Sequence, residues 1–228
     1  MKVSVILPTF NEKNNIVSLV TNIEKYIKNF SNYEIIIVDD NSPDKTYEEC
    51  LNNLDLKVCK IYQRVKDKGL AKSISFGINK SIGEIIVVMD TDHTHDPKYL
   101  NLLLDLSFDH DLVIGSRFEG DGKMIATFHH YLSFLFNIFI RVFLRTGFKD
   151  NLGGYFCIKR TALKDLDFDK IFYGYGEYFL RLIYFLKKKK IRIKEIGVTY
   201  NLRFKGKSKS NFFKLFFQYL YEVLKLRF

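Results

Sequence analysis

Ile85-Ile86-Val87-Val88-Met89-Asp90-Thr91-Asp92-His93-Thr94-His95-Asp96-Pro97 carries a β-branched run straight into two aspartates one residue apart. Residues 85–89 are short, apolar and preceded by Gly83-Glu84, which predicts a buried strand. Asp90 and Asp92 then fall where that strand ends. Two carboxylates held together repel each other unless a cation lies between them. A divalent cation carrying a diphosphate would satisfy both. The alternative is an ordinary polar loop after a strand, and the rest of the chain has to decide between the two.

Upstream the pattern repeats. Residues 2–7, 33–38 and 56–62 predict three earlier strands, and residues 111–114 a fifth. Between them lie helical stretches. Ile16, Leu19, Val20, Ile23, Tyr26 and Ile27 recur at helical spacing. Ser42-Pro43 reads as a helix start, with Asp44 and Glu48 near its positive end. A basic turn at residues 66–69 leads into a helix over 70–80, and Pro97 opens another to about 106. Alternating strands and helices with short connections imply a mostly parallel sheet with helices on both faces. Three strands end in polar residues, at Pro8-Thr9, Asp39-Asp40 and Asp90-Thr91-Asp92. Ligands in open α/β sheets bind at the carboxyl ends of strands, so these clusters are expected to share one crevice. No Gly-x-Gly-x-x-Gly or Walker-type loop is present, which argues against a dinucleotide enzyme or a P-loop NTPase.

Downstream the character changes. Residues 131–148 are dense in Phe, Leu and Ile, yet Ser133, Asn137, Arg141 and Arg145 recur every four residues. Residues 211–228 repeat this, with Lys214, Gln218, Glu222 and Lys225 on one side. Both read as helices with a narrow polar stripe and a wide apolar face. Such faces suit an interfacial membrane contact, mutual packing on the sheet, or a partner helix or homodimer. The 228 residues suffice for one sizeable α/β domain. A formal charge of +10 favours an anionic partner. A nucleic-acid partner would explain that charge but not the aspartate clusters, and is not expected. The three cysteines have no metal-like spacing and read as core residues of a reducing compartment. No leader ahead of the first strand and no membrane-spanning helix are expected.

Taken in order, several stretches resemble the family 2 glycosyltransferases, and within them the polyprenyl-phosphate sugar synthases of the dolichyl-phosphate mannose synthase group. They are Pro8-Thr9-Phe10-Asn11-Glu12, residues 38–44, Lys68-Gly69-Leu70, residues 89–97, Gly115-Ser116-Arg117-Phe118 and residues 203–209. The resemblance implies a glycosyltransferase-A-type nucleotide-diphospho-sugar transferase fold: α/β, a mostly parallel sheet with helices on both faces, plus interfacial amphipathic helices. It implies one domain over 1–228. Residues 1–117 would form the nucleotide-sugar-binding half and 118–210 the acceptor half, containing the interfacial helix 131–148. Residues 211–228 would be a C-terminal amphipathic helix.

The resemblance also distributes roles. Pro8, Thr9, Asn11, Glu12, Asp40, Lys68, Gly69, Asp90 and Thr91 would meet the nucleotide. Asp40 has the alternative of capping the next helix. Asp90, Asp92 and Thr94 would hold Mg²⁺ or Mn²⁺ against the donor diphosphate. Asp92, Arg117 and Arg203 would serve the reaction, and Arg117, Arg203, Ser208 and Lys209 the acceptor phosphate. The implied activity is metal-dependent, inverting transfer of a hexose, mannose foremost, from a nucleotide sugar to polyprenyl or dolichyl phosphate. It would occur peripherally, on the cytoplasmic face of the membrane. The alternatives are a hydroxyl acceptor on a glycan or lipid-linked saccharide, and a UDP-glucose donor. A hydroxyl acceptor needs a carboxylate base, for which Asp150 and Glu177 are the candidates. The chain departs from the pattern at Gly153 and Phe156, where relatives carry Ser and Arg, at Lys45, in place of Gly, and at His129 or His130, in place of Arg.

Overall fold

A computed structural model describes residues 1–27, 30, 32–125, 127–202 and 212–228. The chain runs β1 (Val3–Thr9), α1 (Ile16–Ile27), β2 (Tyr33–Asp39), α2 (Thr46–Asn53), β3 (Cys59–Gln63), α3 (Leu70–Lys80) and β4 (Ile85–Val88). A 3-10 turn (Pro97–Tyr99) then opens α4 (Leu100–Leu106), followed by β5 (Leu112–Ser116), β6 (Lys123–Met124) and α5 (Thr127–Phe143). Next come β7 (Phe156–Lys159), α6 (Arg160–Leu163), α7 (Phe168–Ile171) and α8 (Glu177–Lys188). Last are β8 (Ile193–Gly197), β9 (Thr199–Tyr200) and α9 (Phe212–Arg227).

Seven strands form one sheet in the order β3-β2-β1-β4-β7-β5-β8. The pairings among β3, β2, β1 and β4, and between β5 and β8, are parallel. β7 runs antiparallel between β4 and β5. The chain winds outward from β1 to β3, then returns to place β4 on the other side of β1. That reversal makes the carboxyl ends of β1 and β4 the topological switch point, where open sheets hold ligands.

The central strands β1, β2 and β4 are buried and largely apolar because both faces are covered. Val3, Val5, Leu7, Ile35, Ile37, Ile85 and Val87 pack under Ile16, Leu19 and Ile23 of α1 and Leu100, Leu103 and Leu104 of α4. Ile6, Ile36, Val38, Ile86, Val88 and Phe156 face Ala71, Ile74 and Ile78 of α3 and Phe179, Leu182 and Ile183 of α8. Gly77 lets α3 lie close to the sheet, since a Cβ there would stand 2.6 Å from Ile6 Cγ2. The three cysteines are buried and unpaired. Burial pushes their thiols up to about 12, so they behave as core residues.

Several expected boundaries shift, for local reasons. α2 begins at Thr46 rather than at Ser42-Pro43, because Asp44 Oδ1 accepts the Thr46 amide at 3.0 Å. Lys45 sits in the left-handed region at φ 66°. β3 starts three residues late, because residues 55–58 form a turn in which Asp55 O accepts the Val58 and Cys59 amides. α5 stops at Phe143, short of 148, and Arg145 and Gly147 follow with positive φ. α8 begins at Glu177, after Gly174 at φ 70°.

The two polar stripes do not simply face water. Asn137 of α5 is buried, and its Oδ1 accepts the Asn151 amide at 2.6 Å. Glu222 of α9 is buried against Arg181 of α8 at 3.0 Å and takes the Tyr173 hydroxyl. α5, α8 and α9 share a small core of Ile140, Leu144, Leu180 and Val223. What they leave outside is apolar: Tyr131, Phe134, Leu135, Phe139 and Val142 on α5, and Phe217, Tyr221 and Leu224 on α9. Among the described residues, no helix is long and apolar enough to cross a membrane.

Candidate active site

The loop after β4 is tied to its neighbours before it reaches the cleft. Thr91 Oγ1 donates to Pro8 O at 3.2 Å, fixing this loop to the end of β1. The Asp90 amide donates to His95 Nδ1 at 2.8 Å. His95 is buried, stacked on Tyr155 at 4.9 Å and edge-on to Tyr200 at 4.6 Å. Because Nδ1 accepts, the ring proton belongs on Nε2, which stands 3.7 Å from Asp90 Oδ2. Burial lowers the His95 pKa and favours the neutral ring, against the opposing charges of Asp90 and Asp92. Asp92 is buried, and its Oδ1 accepts the Thr94 amide at 3.1 Å and the Thr94 hydroxyl at 2.7 Å. The Asp90 side chain is 45 % exposed.

On one side of this floor stands Asp40. Its Oδ1 accepts Arg64 Nη1 at 3.0 Å and Ser73 Oγ at 2.7 Å, and its Oδ2 accepts the Gly69 amide at 2.6 Å. Capping is therefore not its role. Asp39, one residue earlier, ties the loop that follows by accepting the Ser42 amide at 2.9 Å. Gly69 has φ 132°, a conformation that L side chains rarely adopt, so glycine is required in this turn. Glu12 is buried and accepts Asn15 Nδ2 at 2.6 Å. The opposite side is built from Leu152, Gly153 and Gly154 and from Tyr175, Gly176, Tyr178 and Tyr219.

Together these groups enclose a cleft of 490 Å³. Pro8, Thr9, Glu12, Asp40, Lys68, Gly69, Asp90, Thr91 and Asp92 all line it. Asn11 does not. It takes a positive φ of 57° at the rim, and its amide donates to Ser42 Oγ at 2.9 Å. Thr94 stands behind Asp92 and orients its carboxylate rather than lining the cleft. A larger hollow of 570 Å³ lies at the other end of β4, against Met1, Gly83 and Arg160. Arg160 is engaged there as a clip, donating to Gly83 O, Ile78 O and Ser81 O.

Arg117 also stays out of the cleft. Its Nε and Nη2 fork onto Asp150 at 2.8 and 2.7 Å, and its amide donates to the same carboxylate at 3.0 Å. Burial alone would push the Asp150 carboxyl up, but the Arg117 charge and hydrogen bonds overturn that and hold it below the usual range. The guanidinium face expected on a phosphate is thus spent on a carboxylate. Asp150, a candidate base, is occupied by the same bonds. Glu177, the other candidate, is buried, accepts the Tyr175 amide at 2.8 Å and does not line the cleft. Arg203, Ser208 and Lys209 lie outside the described residues, as does the His129 side chain.

Among the described residues, no group of three or more His, Cys, Asp or Glu is arranged to hold a metal ion. Asp90 and Asp92 are nonetheless a hard-oxygen pair at the floor of a polar cleft. Mg²⁺ is commonly bound in this manner, through one or two carboxylates with substrate phosphates completing the shell. His95 offers no lone pair there, since Nδ1 is taken and Nε2 carries the proton.

Sequence reading had missed Arg64, Ser73, the tyrosine wall and the Arg181–Glu222 pair. Arg64 follows directly on β3, and its position at a strand end was an available signal. Tyr219 had none, being one aromatic residue among many on an apolar helix.

The mixed seven-stranded sheet, with acidic loops gathered at its switch point, has the glycosyltransferase-A type of fold. A similar fold occurs in glucosyl-3-phosphoglycerate synthase from Mycobacterium tuberculosis, solved with Mn²⁺, uridine diphosphate and glucosyl-3-phosphoglycerate. The TM-score is 0.74 at 16 % identity, over 99 % of this chain and 79 % of that one. The chain belongs to glycosyl transferase family 2, whose model matches residues 4–167. It is 31 % identical to a dolichol-phosphate mannosyltransferase of Pyrococcus furiosus, over 99 % of this chain, and spans 64 % of that protein's length. It is 30 % identical to an undecaprenyl-phosphate mannosyltransferase of Micrococcus luteus, over 92 % of this chain and 87 % of that protein. With a dolichol-phosphate mannosyltransferase of Saccharomyces cerevisiae the identity is 27 %, over 98 % and 86 %.

Proposed function

We propose that the chain transfers a hexose, mannose foremost, from a nucleotide sugar to a polyprenyl phosphate at the cytoplasmic face of a membrane. The observation that carries this reading is the sharing of one cleft by Asp90, Asp92, Asp40 and Lys68. The Asp40 side, with Glu12 and the Gly69 turn, suits a nucleoside. Lys68 adds a cation beside the diphosphate. Bound Mg²⁺ or Mn²⁺, held by Asp90 and Asp92, would offset charge growing on the departing nucleoside diphosphate. His95 keeps Asp90 in place, and Thr94 does the same for Asp92.

The acceptor reading rests on where the carboxylates stand. Among the described residues, those lining the cleft are Glu12, Asp40, Asp90 and Asp92, which this reading assigns to the donor. Asp150 and Glu177 are engaged elsewhere, so neither supports base catalysis on a hydroxyl. A phosphate acceptor is already anionic and needs no such base. Its oxygen would attack the anomeric carbon as the bond to the nucleoside diphosphate breaks, with inversion. Arg203, Ser208 and Lys209 are proposed to receive the acceptor phosphate, on the family resemblance. Arg117 would act at one remove, by holding the Asp150 loop. The apolar faces of α5 and α9 suit a lipid surface on which such an acceptor resides.

The test supplies radiolabelled GDP-mannose or UDP-glucose with Mn²⁺ and polyprenyl phosphate. A labelled, acid-labile lipid product is expected, with GDP-mannose the better donor. No labelled lipid from either donor would sink the reading. Label in an oligosaccharide instead would favour the hydroxyl-acceptor alternative.

A further inference from the structure

Tyr219 belongs to two places at once. It lies on α9, yet it lines the cleft beside Tyr175, Gly176 and Tyr178. Gly176 makes room for it, since a Cβ there would come within 2.2 Å of the Tyr219 hydroxyl. Behind it, Tyr219 meets Phe136 of α5 edge-on at 6.5 Å. Phe136 in turn stacks on Phe139 at 5.8 Å and touches Phe216 at 5.0 Å, and both of those rings reach the surface. α9 is seated by the buried Arg181–Glu222 pair and the shared core with α5 and α8.

We infer that Tyr219 is a donor-binding residue through which seating of α9 on a lipid surface is coupled to donor affinity. The inference rests on the proposed function for the identity of donor and surface. A hexose presents C–H faces that pack on aromatic rings and hydroxyls that pair with a phenol. Tyr219 offers both, but only while α9 is docked. α5 and α9 pack on each other through Phe136 and Phe216, so docking of α9 also sets where its exposed apolar residues stand relative to those of α5. A surface engaging both helices therefore favours the state that presents Tyr219 to the donor. Two ligands that prefer one state bind with positive and reciprocal coupling.

The experiment measures binding of GDP-mannose and of UDP-glucose with Mn²⁺, by calorimetry, with and without phosphatidylglycerol vesicles. Co-sedimentation gives vesicle binding with and without the better donor. For the wild type, vesicles are expected to tighten donor binding about five-fold or more, and donor to tighten vesicle binding by the same factor. Tyr219→Ala should weaken donor binding in vesicles and bring both factors to one, while donor-free vesicle binding persists. Gly176→Ala, which crowds Tyr219 from the other side, should do the same, and Tyr219→Phe should retain part of the coupling. The inference is overturned if Tyr219→Ala or Gly176→Ala, with native circular dichroism, keeps the wild-type factors. It is also overturned if wild-type donor binding ignores vesicles. Failure of the wild type to bind either donor at all would instead remove the proposed function, and this inference with it.

Discussion

Asp92 shows how far a single residue's surroundings constrain its use. Its carboxylate is buried, yet one oxygen is aimed by the Thr94 amide and hydroxyl, and the side chain lines the cleft. Asparagine would keep the acceptor for both Thr94 bonds and lose the charge. Asp92→Asn is therefore expected to lower kcat about 100-fold or more, in the range seen when one electrostatic stabiliser is removed. Its Tm should hold or rise, because repulsion from Asp90 is relieved. Wild-type turnover in this variant would remove Asp92 from the site. Asp150 poses the opposite case. Fully buried and forked by Arg117, it leaves an unpaired guanidinium when neutralised. Asp150→Asn should cost about 3 kcal/mol of stability, the scale of a broken buried pair. The same pair predicts an acid limit. The folded carboxyl titrates below its unfolded value, so its stabilisation is complete above about pH 4 and is lost as pH falls through the depressed folded value. Urea titrations at several pH values check this. The acid loss should be smaller in Asp150→Asn, and an equal loss in both proteins would assign it to other groups.

At the scale of elements, close packing and exposed faces divide the work. α3 approaches the sheet at Gly77, where an added methyl would stand 2.6 Å from Ile6 and 3.3 Å from Val38. Alanine is the better helix former, by about 1 kcal/mol. Overpacking a core costs about 1–3 kcal/mol and should win here, because both obstacles are buried branched side chains. Gly77→Ala is expected to lower stability in denaturant titration, and a gain would mean that α3 can slide outward at little cost. α5 and α9 behave differently, since Phe217 and Tyr221 of α9 lie outside the core that the two helices share with α8. Phe217 and Tyr221 are each 64 % exposed. Replacing both with Ser should leave the unfolding midpoint within about 0.5 kcal/mol of wild type, as surface changes usually do. Vesicle co-sedimentation should fall several-fold if this face meets lipid. Unchanged sedimentation together with a shift from dimer to monomer would assign the face to a second copy instead.

At the scale of the whole molecule, the sequence disclosed most where one residue type could serve one purpose. Continuous β-branched runs meant strands covered on both sides, and the polar residues ending β1, β2 and β4 meant a crevice at their carboxyl ends. The antiparallel β7 was less legible, because Phe156-Cys157-Ile158 looks the same in either direction. Arg117 was misplaced for a similar reason, as a guanidinium fits carboxylate and phosphate by the same fork. The polar stripes misled at Asn137 and Glu222 because helical periodicity gives a face and not its partner. Tyr219 is a long-range meeting of α9 with the α8 turn, and nothing within α9 encodes it. The cleft, if it holds the donor as proposed, makes a molecule-wide statement testable without knowing the acceptor. A ligand that binds only the folded chain stabilises all of it, by about 2.7 kcal/mol at one hundred times Kd. For a chain of 228 residues that corresponds to roughly 5–10 °C in Tm. With Mn²⁺, the preferred nucleotide sugar should produce such a shift. With chelator it should largely vanish, because Asp90 and Asp92 then face the diphosphate as bare like charges. The shift should also be lost in Asp92→Asn but kept in the Phe217, Tyr221 double variant, since only the first alters the cleft. A shift that survives chelation at full size would show the diphosphate held by Lys68 and backbone donors, and the two aspartates would need another role.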